Sequence, residues 1–363
     1  MTGRQPQAAA VAEAAPAERY FTTLQAAFAE AAHRTRPLEY TLGVGPASVR
    51  LAFAGDELTR SVLPALAHTS PGGPDEPSGT VCVWDSASTG LPVPSFTWRP
   101  RHIGHQGQIE GYNDRRFRTI YHGDIFAPDG GFNALSMFDA AQRTAIFWVA
   151  SSGHVHWWER AEPLRTLFHW VLNADDRYLA HAAAVGDDEG VVLLAGRGGM
   201  GKTTTTIACL RDGMRFVGDN YVLLSLRDGP VAHGLYSNAK LRPGTLELMP
   251  DLADAVNTLD VKEDGEKYIV DVKRWRPQQV VSGLPVRALV VPHVQGHGET
   301  RMVPASPIEG LLALAPTTVV QLPENGGVLG PMGRLVRQLP TFKLELGGDV
   351  ADGPAAIRAL LRG

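Results

Sequence analysis

Val191-Val192-Leu193-Leu194-Ala195-Gly196-Arg197-Gly198-Gly199-Met200-Gly201-Lys202-Thr203-Thr204 is the stretch on which the fold turns. The run Val191–Ala195 reads as a buried strand, the glycines that follow as a tight turn, and the residues from Lys202 to about Arg211 as a helix. Asp212 and Gly213 close that helix, the glycine being suited to the left-handed position past its end. Within this frame Gly196 to Thr203 match the pattern G-x-x-x-x-G-K-[ST]. Each part of the pattern has a physical task. Glycines let backbone N–H groups turn inward on a phosphate without side-chain clash, and the helix N-terminus adds partial positive charge. Lys202 is expected to reach the β- and γ-phosphates, Thr203 to complete a Mg²⁺ shell, and Thr204 to flank them. The segment Gly196, Arg197, Gly198, Gly199, Met200, Gly201, Lys202, Thr203, Thr204 is therefore expected to bind ATP with Mg²⁺. No N-K-x-D guanine signature is evident, which favours ATP over GTP.

Outward from the loop, Tyr178–Val185 reads as one buried strand before it, and Arg215 to Leu226 as another after it. Asp219 follows Arg215-Phe216-Val217-Gly218, which puts a carboxylate at a strand end near the γ-phosphate. It is a candidate metal partner, general base, or both; the plainer alternative is a turn aspartate before Asn220. Val286–Val294 is a further apolar strand. Ser306, Pro307 and Glu309 carry a capping box with proline in the first turn, and Phe342–Leu346 and a helix from Asp352 follow. Alternating strands and helices make residues 161–363 an α/β domain.

Toward the N-terminus, residues 1–18 are alanine-rich and read as a disordered tail. Phe21, Leu24, Phe28 and Ala31 place an amphipathic helix over about Arg19 to Ala32. Glu39–Val44, Ser48–Phe53, Thr80–Trp84, Phe117–Tyr121 and Thr144–Val149 read as strands, with a Pro/Gly loop over Ser70–Gly79. Residues 19–160 thus form a β-rich (α+β) domain that supplies no catalytic motif, and a helix over Pro163 to about Asn173 leads out of it. His154 and His156 alternate beside Trp157 and Trp158, which favours packing over a metal pair.

The 34 basic and 38 acidic residues give a net charge of -4, which argues against a nucleic-acid surface. The cluster Lys273-Arg274-Trp275-Arg276 reads as ordinary surface or an acidic-peptide contact. No apolar run is long enough to span a bilayer, so no membrane partner is expected. Cys82 and Cys209 have no paired spacing, and a cytoplasmic setting is the simplest expectation.

Leu179 to Val185, the glycine-rich loop, Arg215 to Asn220, Leu235 to Arg242, and Glu266-Lys267 cover about residues 160 to 350. Together these blocks resemble the bacterial HPr kinase/phosphorylase superfamily, and within it a serine-kinase branch similar to lasso-peptide precursor kinases. The resemblance implies a P-loop HPr-kinase-like C-terminal domain. It makes His181 an active-site histidine and Asp219 the first of two paired aspartates. The second position is Asn220, an amide that can ligate Mg²⁺ but is a poor base. On that resemblance Asn220→Asp restores the pair and is expected to be tolerated or even faster. Lys240 and Arg242 are the candidates for neutralising charge on the transferred group.

The expected activity is ATP-dependent transfer of the γ-phosphoryl group to a serine of a peptide or protein, possibly a natural-product precursor. A kinase of a free small molecule, or a non-catalytic nucleotide-gated peptide-binding module, are the alternatives. The β-rich domain is the candidate for recognising the acceptor, and homo-oligomerisation is left open.

Overall fold

The computed structural model describes residues 15–67, 69–71, 76–123, 132–257, 267–322 and 327–363 of this mixed α/β protein. The tail expected over 1–18 falls outside them up to residue 14, and so do residues 72–75 of the expected loop and Glu266. The first helix spans Pro16–Arg34, three residues earlier than expected. Pro16 in its first turn supplies a helical φ in advance and loses no hydrogen bond there.

A seven-stranded sheet follows, in the order Ser70–Pro71, Pro37–Val44, Ala47–Ala54, Thr80–Asp85, Thr144–Val149, Ala134–Asp139, Phe117–His122. Its centre is parallel and its flanks antiparallel. Both faces are covered. Ile146 and Trp148 point toward Tyr20, Phe21 and Leu24 of the first helix, while Ala145, Phe147 and Val149 pack on the other side with Leu167, Phe168 and Val171. Those last three lie on the helix Arg165–Leu172.

The second sheet has nine strands. Its spine is the twelve-residue strand Gly283–Val294. One half of that strand pairs antiparallel with Val231–Gly234; the other pairs parallel with Val191–Leu194 and Thr341–Leu346. Two segments read from sequence as single strands each break in two. Tyr178–Val185 divides at Ala182 into Arg177–His181 and Ala183–Gly186. Arg215–Leu226 divides into Arg215–Gly218 and Tyr221–Ser225, with Asp219 and Asn220 at the break, joined by a cis peptide bond. The reason is topological. Each segment begins in one half of the sheet and ends in the other, so Tyr221 pairs with His181 while Gly218 pairs with Ala184. His181 and Asp219 thereby come to the same seam.

Helices Lys202–Arg211 and Asp352–Arg362 cover one face of this sheet, and Pro307–Gln321 and Leu329–Gln338 cover the other. A small antiparallel sheet of Asn238–Leu241, Tyr268–Asp271 and Val256–Asn257 stands beside the first pair. One apolar cluster is shared by the two large sheets: Val49, Val83 and Phe147 belong to it, and so do Leu179, Leu223 and Tyr236. The hairpin turn at Gly45 (φ 56°) sits so close to His233 that an added Cβ would lie 2.4 Å from the imidazole.

Candidate functional site

The glycine-rich loop leaves the strand Val191–Leu194 and enters the helix Lys202–Arg211. Gly201 opens the helix in the left-handed region (φ 100°), and no side chain caps the first turn. An added Cβ at Gly201 would lie 2.9 Å from Leu346 Cδ1 and 3.1 Å from Val294 Cγ2, so both backbone conformation and space call for glycine. The uncapped N–H groups face a cavity of about 480 Å³.

The cavity wall is strongly cationic. Arg197, Lys202, Lys240, Arg242 and Lys267 line it, and Asp349 is its only carboxylate among the described residues. Lys202 is buried, and its Nζ donates to the carbonyl oxygen of Gly196 at 2.6 Å. Burial lowers its pKa, a trend Asp219 opposes. Arg242 lies against the loop: an added Cβ at Gly199 would be 3.5 Å from its Nη1. Thr203 and Thr204 line the cavity too, and the Thr204 hydroxyl meets that of Thr245 at 3.0 Å. Met200 folds back on the loop, its sulfur accepting from the Arg197 N–H at 3.2 Å.

Asp219 is 1% exposed and stands behind this wall rather than on it, while its neighbour Asn220 is on the wall. Asp219 directly follows the strand Arg215–Gly218, the strand-end position expected of it. Both Asp219 oxygens are buried without a hydrogen-bond partner. Burial raises the carboxyl's pKa, tempered by the nearby Thr203 hydroxyl and Lys202 ammonium. His181 also lines the cavity. Its ring lies 5.3 Å from that of Tyr221, its Nδ1 is buried without a partner, and its backbone N–H donates to Thr318 Oγ1 at 3.0 Å. Burial and Lys202 push the imidazole pKa down to about 3, so it is neutral at physiological pH.

Lys240 and Arg242, paired in the sequence reading, sit in different surroundings. Arg242 is exposed on the loop, whereas Lys240 Nζ is held by Glu162 Oε2 at 2.6 Å. Glu162 was not foreseen. It is 2% exposed, and besides Lys240 it accepts from Asn220 Nδ2 at 2.9 Å and lies 3.4 Å from Arg165 Nη1. Burial alone would raise its pKa, but Lys240, Arg165 and the Asn220 amide outweigh that and hold it ionised. The chain around it, Glu159 to Arg165, carries two glutamates and two arginines between apolar stretches and reads as ordinary surface charge. Only the fold shows that this segment is buried against the seam.

His156 stacks on Trp158 (centroids 5.8 Å apart) and meets Phe132 edge-on. Arg276 lies over the Trp275 ring at 4.8 Å, on the short helix Val272–Trp275 and its end. No described helix is long and apolar enough to cross a membrane.

No protein-family profile matches the chain, and no curated protein matches it. Among solved structures it is similar to the Hpr(Ser) kinase/phosphatase from Coxiella burnetii, at 17% identity over 51% of this chain and 93% of that one. The TM-score is 0.26, too loose a superposition for any correspondence between residues to be drawn from it.

Proposed function

We propose that this protein is an ATP-dependent phosphotransferase with a P-loop HPr-kinase-like catalytic half, acting on a serine hydroxyl of a peptide or protein. The observation that carries this reading is an uncapped, glycine-led helix N-terminus with Lys202 in its first turn and the buried Asp219 carboxylate near that ammonium. A triphosphate suits the cationic wall. Leu248 and Val294, large apolar side chains left 57% and 53% exposed at the same cavity, suit the flat faces of a base.

Magnesium fits the donors present. Two orphaned carboxylate oxygens on Asp219, the Thr203 hydroxyl and the Asn220 amide are hard oxygen ligands. Among the described residues no cluster of three His, Cys, Asp or Glu forms a cage of its own. When bound, the ion would neutralise phosphate charge. Lys202 would exchange its Gly196 carbonyl for phosphate oxygens, and Arg242 would cover the group in transfer. Asp219 would take the acceptor's proton. Glu162 cannot, since its oxygens already serve Asn220, Lys240 and Arg165, and His181 is too weakly basic. The seven-stranded sheet has no chemistry of its own and would orient the acceptor.

The test is calorimetry with Mg²⁺ and ATP, followed by mass spectrometry of serine peptides incubated with the protein and Mg–ATP. A micromolar-to-millimolar dissociation constant with an added phosphate on serine supports the reading. No ATP binding at millimolar nucleotide would end it. ATP binding with phosphate appearing only on a free amino acid would reassign the acceptor.

A further inference from the structure

Glu162 does not touch the cavity, yet it grips two residues that do. Its Oε1 accepts from Asn220, which sits in the turn between two strands of the nine-stranded sheet. Its Oε2 accepts from Lys240, which belongs to the separate three-stranded sheet. A carboxylate only accepts, so it must meet the Asn220 side chain through nitrogen. The amide's one other polar atom is Oδ1, the atom a cation would bind, and Asn220 lies on the cavity wall.

Resting on the nucleotide reading above, we propose that Glu162 is the positioning residue of the cation site. It orients Asn220 with Oδ1 available to the ion and supplies, one residue removed, the negative charge that an amide at 220 lacks. The position is an asparagine because of Glu162. An aspartate there would set a second carboxylate 2.9 Å from the buried one of Glu162, and like charges so close cannot both stay ionised. The pair is therefore charge-complementary: either partner may carry the carboxylate provided the other carries the amide.

The experiment is a swap across this contact in the full chain, read as ATP affinity with Mg²⁺ and with EDTA. Asn220→Asp and Glu162→Gln should each weaken the Mg²⁺-dependent part by about 10- to 100-fold, the range for residues that orient metal ligands. The double variant should recover to within about threefold of the parent, well beyond the sum of the singles. Should Asn220→Asp fail to fold, Asn220→Ala replaces it: it should cost the same Mg²⁺-dependent increment, and Glu162→Gln added to it should cost nothing more. A double variant no better than the worse single overturns the proposal, as does Glu162→Gln that lowers the melting temperature with Mg²⁺ dependence intact. A parent that binds no Mg–ATP defeats the nucleotide reading and this proposal together, whereas a binding parent with a failed swap defeats this proposal alone.

Discussion

The Nζ of Lys202 lies 2.6 Å from the carbonyl oxygen of Gly196, six residues earlier at the start of the same loop. The ammonium is thus satisfied by the backbone that a nucleotide would displace it from. A buried ammonium costs desolvation, and this contact offsets part of it.

Lys202→Ala should accordingly leave the melting temperature nearly unchanged, because the desolvation cost of the buried ammonium is lost together with its contact to the Gly196 carbonyl and its attraction to Asp219. ATP affinity should fall by about 10- to 100-fold or more, the value of charge-assisted hydrogen bonds to phosphate. Calorimetry and a thermal melt on the same preparation check both halves. Equal affinity for parent and variant would mean that the nucleotide does not sit on this loop.

Asp219→Asn should separate stability from activity. The parent carboxylate is buried with neither oxygen partnered, so neutralising it should raise the melting temperature of the free protein. Phosphoryl transfer should drop by about 10²- to 10⁴-fold, since an amide cannot take a proton. A variant that is less stable than the parent but equally active would show that the carboxylate is structural.

Lys240→Ala and Arg242→Ala should part company. The first leaves Glu162 buried with only Arg165 and the Asn220 amide, and should cost about 3 kcal/mol, the low end for a broken buried pair. The second removes an exposed side chain and should change stability by no more than about 0.5 kcal/mol while slowing turnover. Urea unfolding and steady-state rates distinguish them; similar stability losses in both would contradict the burial contrast.

Acid should destabilise the protein earlier than carboxylate titration alone predicts. Burial lowers His169 and His181 to about 3, and His122 and His233 to about 4. A base whose folded pKa is depressed leaves the unfolded chain holding more protons. Stability is then full above about pH 6.5 and falls as pH drops toward 3 or 4. Each fully buried histidine adds a slope of about 1.4 kcal/mol per pH unit in that window, the half-buried pair less. Asp219 and Glu159, raised by burial, work in the opposite sense over the acid part of the window. His169→Phe should flatten the stability profile between pH 6 and 4 by about one such slope. An unchanged profile would show that His169 finds a proton partner in the fold.

Removing residues before Pro163 should yield no soluble nucleotide-binding fragment. Leu179, Leu223 and Tyr236 share a cluster with Val49, Val83 and Phe147, so the cut exposes apolar surface on both sides. The alternative is a seven-stranded sheet that serves only to hold the acceptor. A monomeric fragment that binds ATP with the parent's affinity would favour it.

The loop and its flanking strand and helix were legible because the glycine pattern and the apolar run are local. Thr144–Val149 and the capping box at Ser306 were legible for the same reason. Ala134–Asp139 was missed, since a strand covered on both faces loses its alternation. Asp219 was read at a strand end, but the division of both segments between the two halves of the sheet was missed, because what changes at Ala182 and Asp219 is the pairing partner. Glu162 was invisible for a third reason: its partners lie 58 and 78 residues away. On the role proposed for Glu162, Asn220→Asp is expected to be harmful, where the resemblance alone implied that it is tolerated.

The spine strand Gly283–Val294 has a consequence for how the chain is made. It joins Val191–Leu194, Val231–Gly234 and Thr341–Leu346, so the sheet around the glycine-rich loop cannot close until synthesis has passed residue 346. Until residue 294 has been made, the emerging chain carries Val191–Leu194 with the edge away from Ala183–Gly186 open to any other strand. Pairings so distant in sequence form slowly, and open apolar edges associate meanwhile. Refolding from denaturant is thus a race between intramolecular closure and second-order loss, and its yield should fall as protein concentration rises.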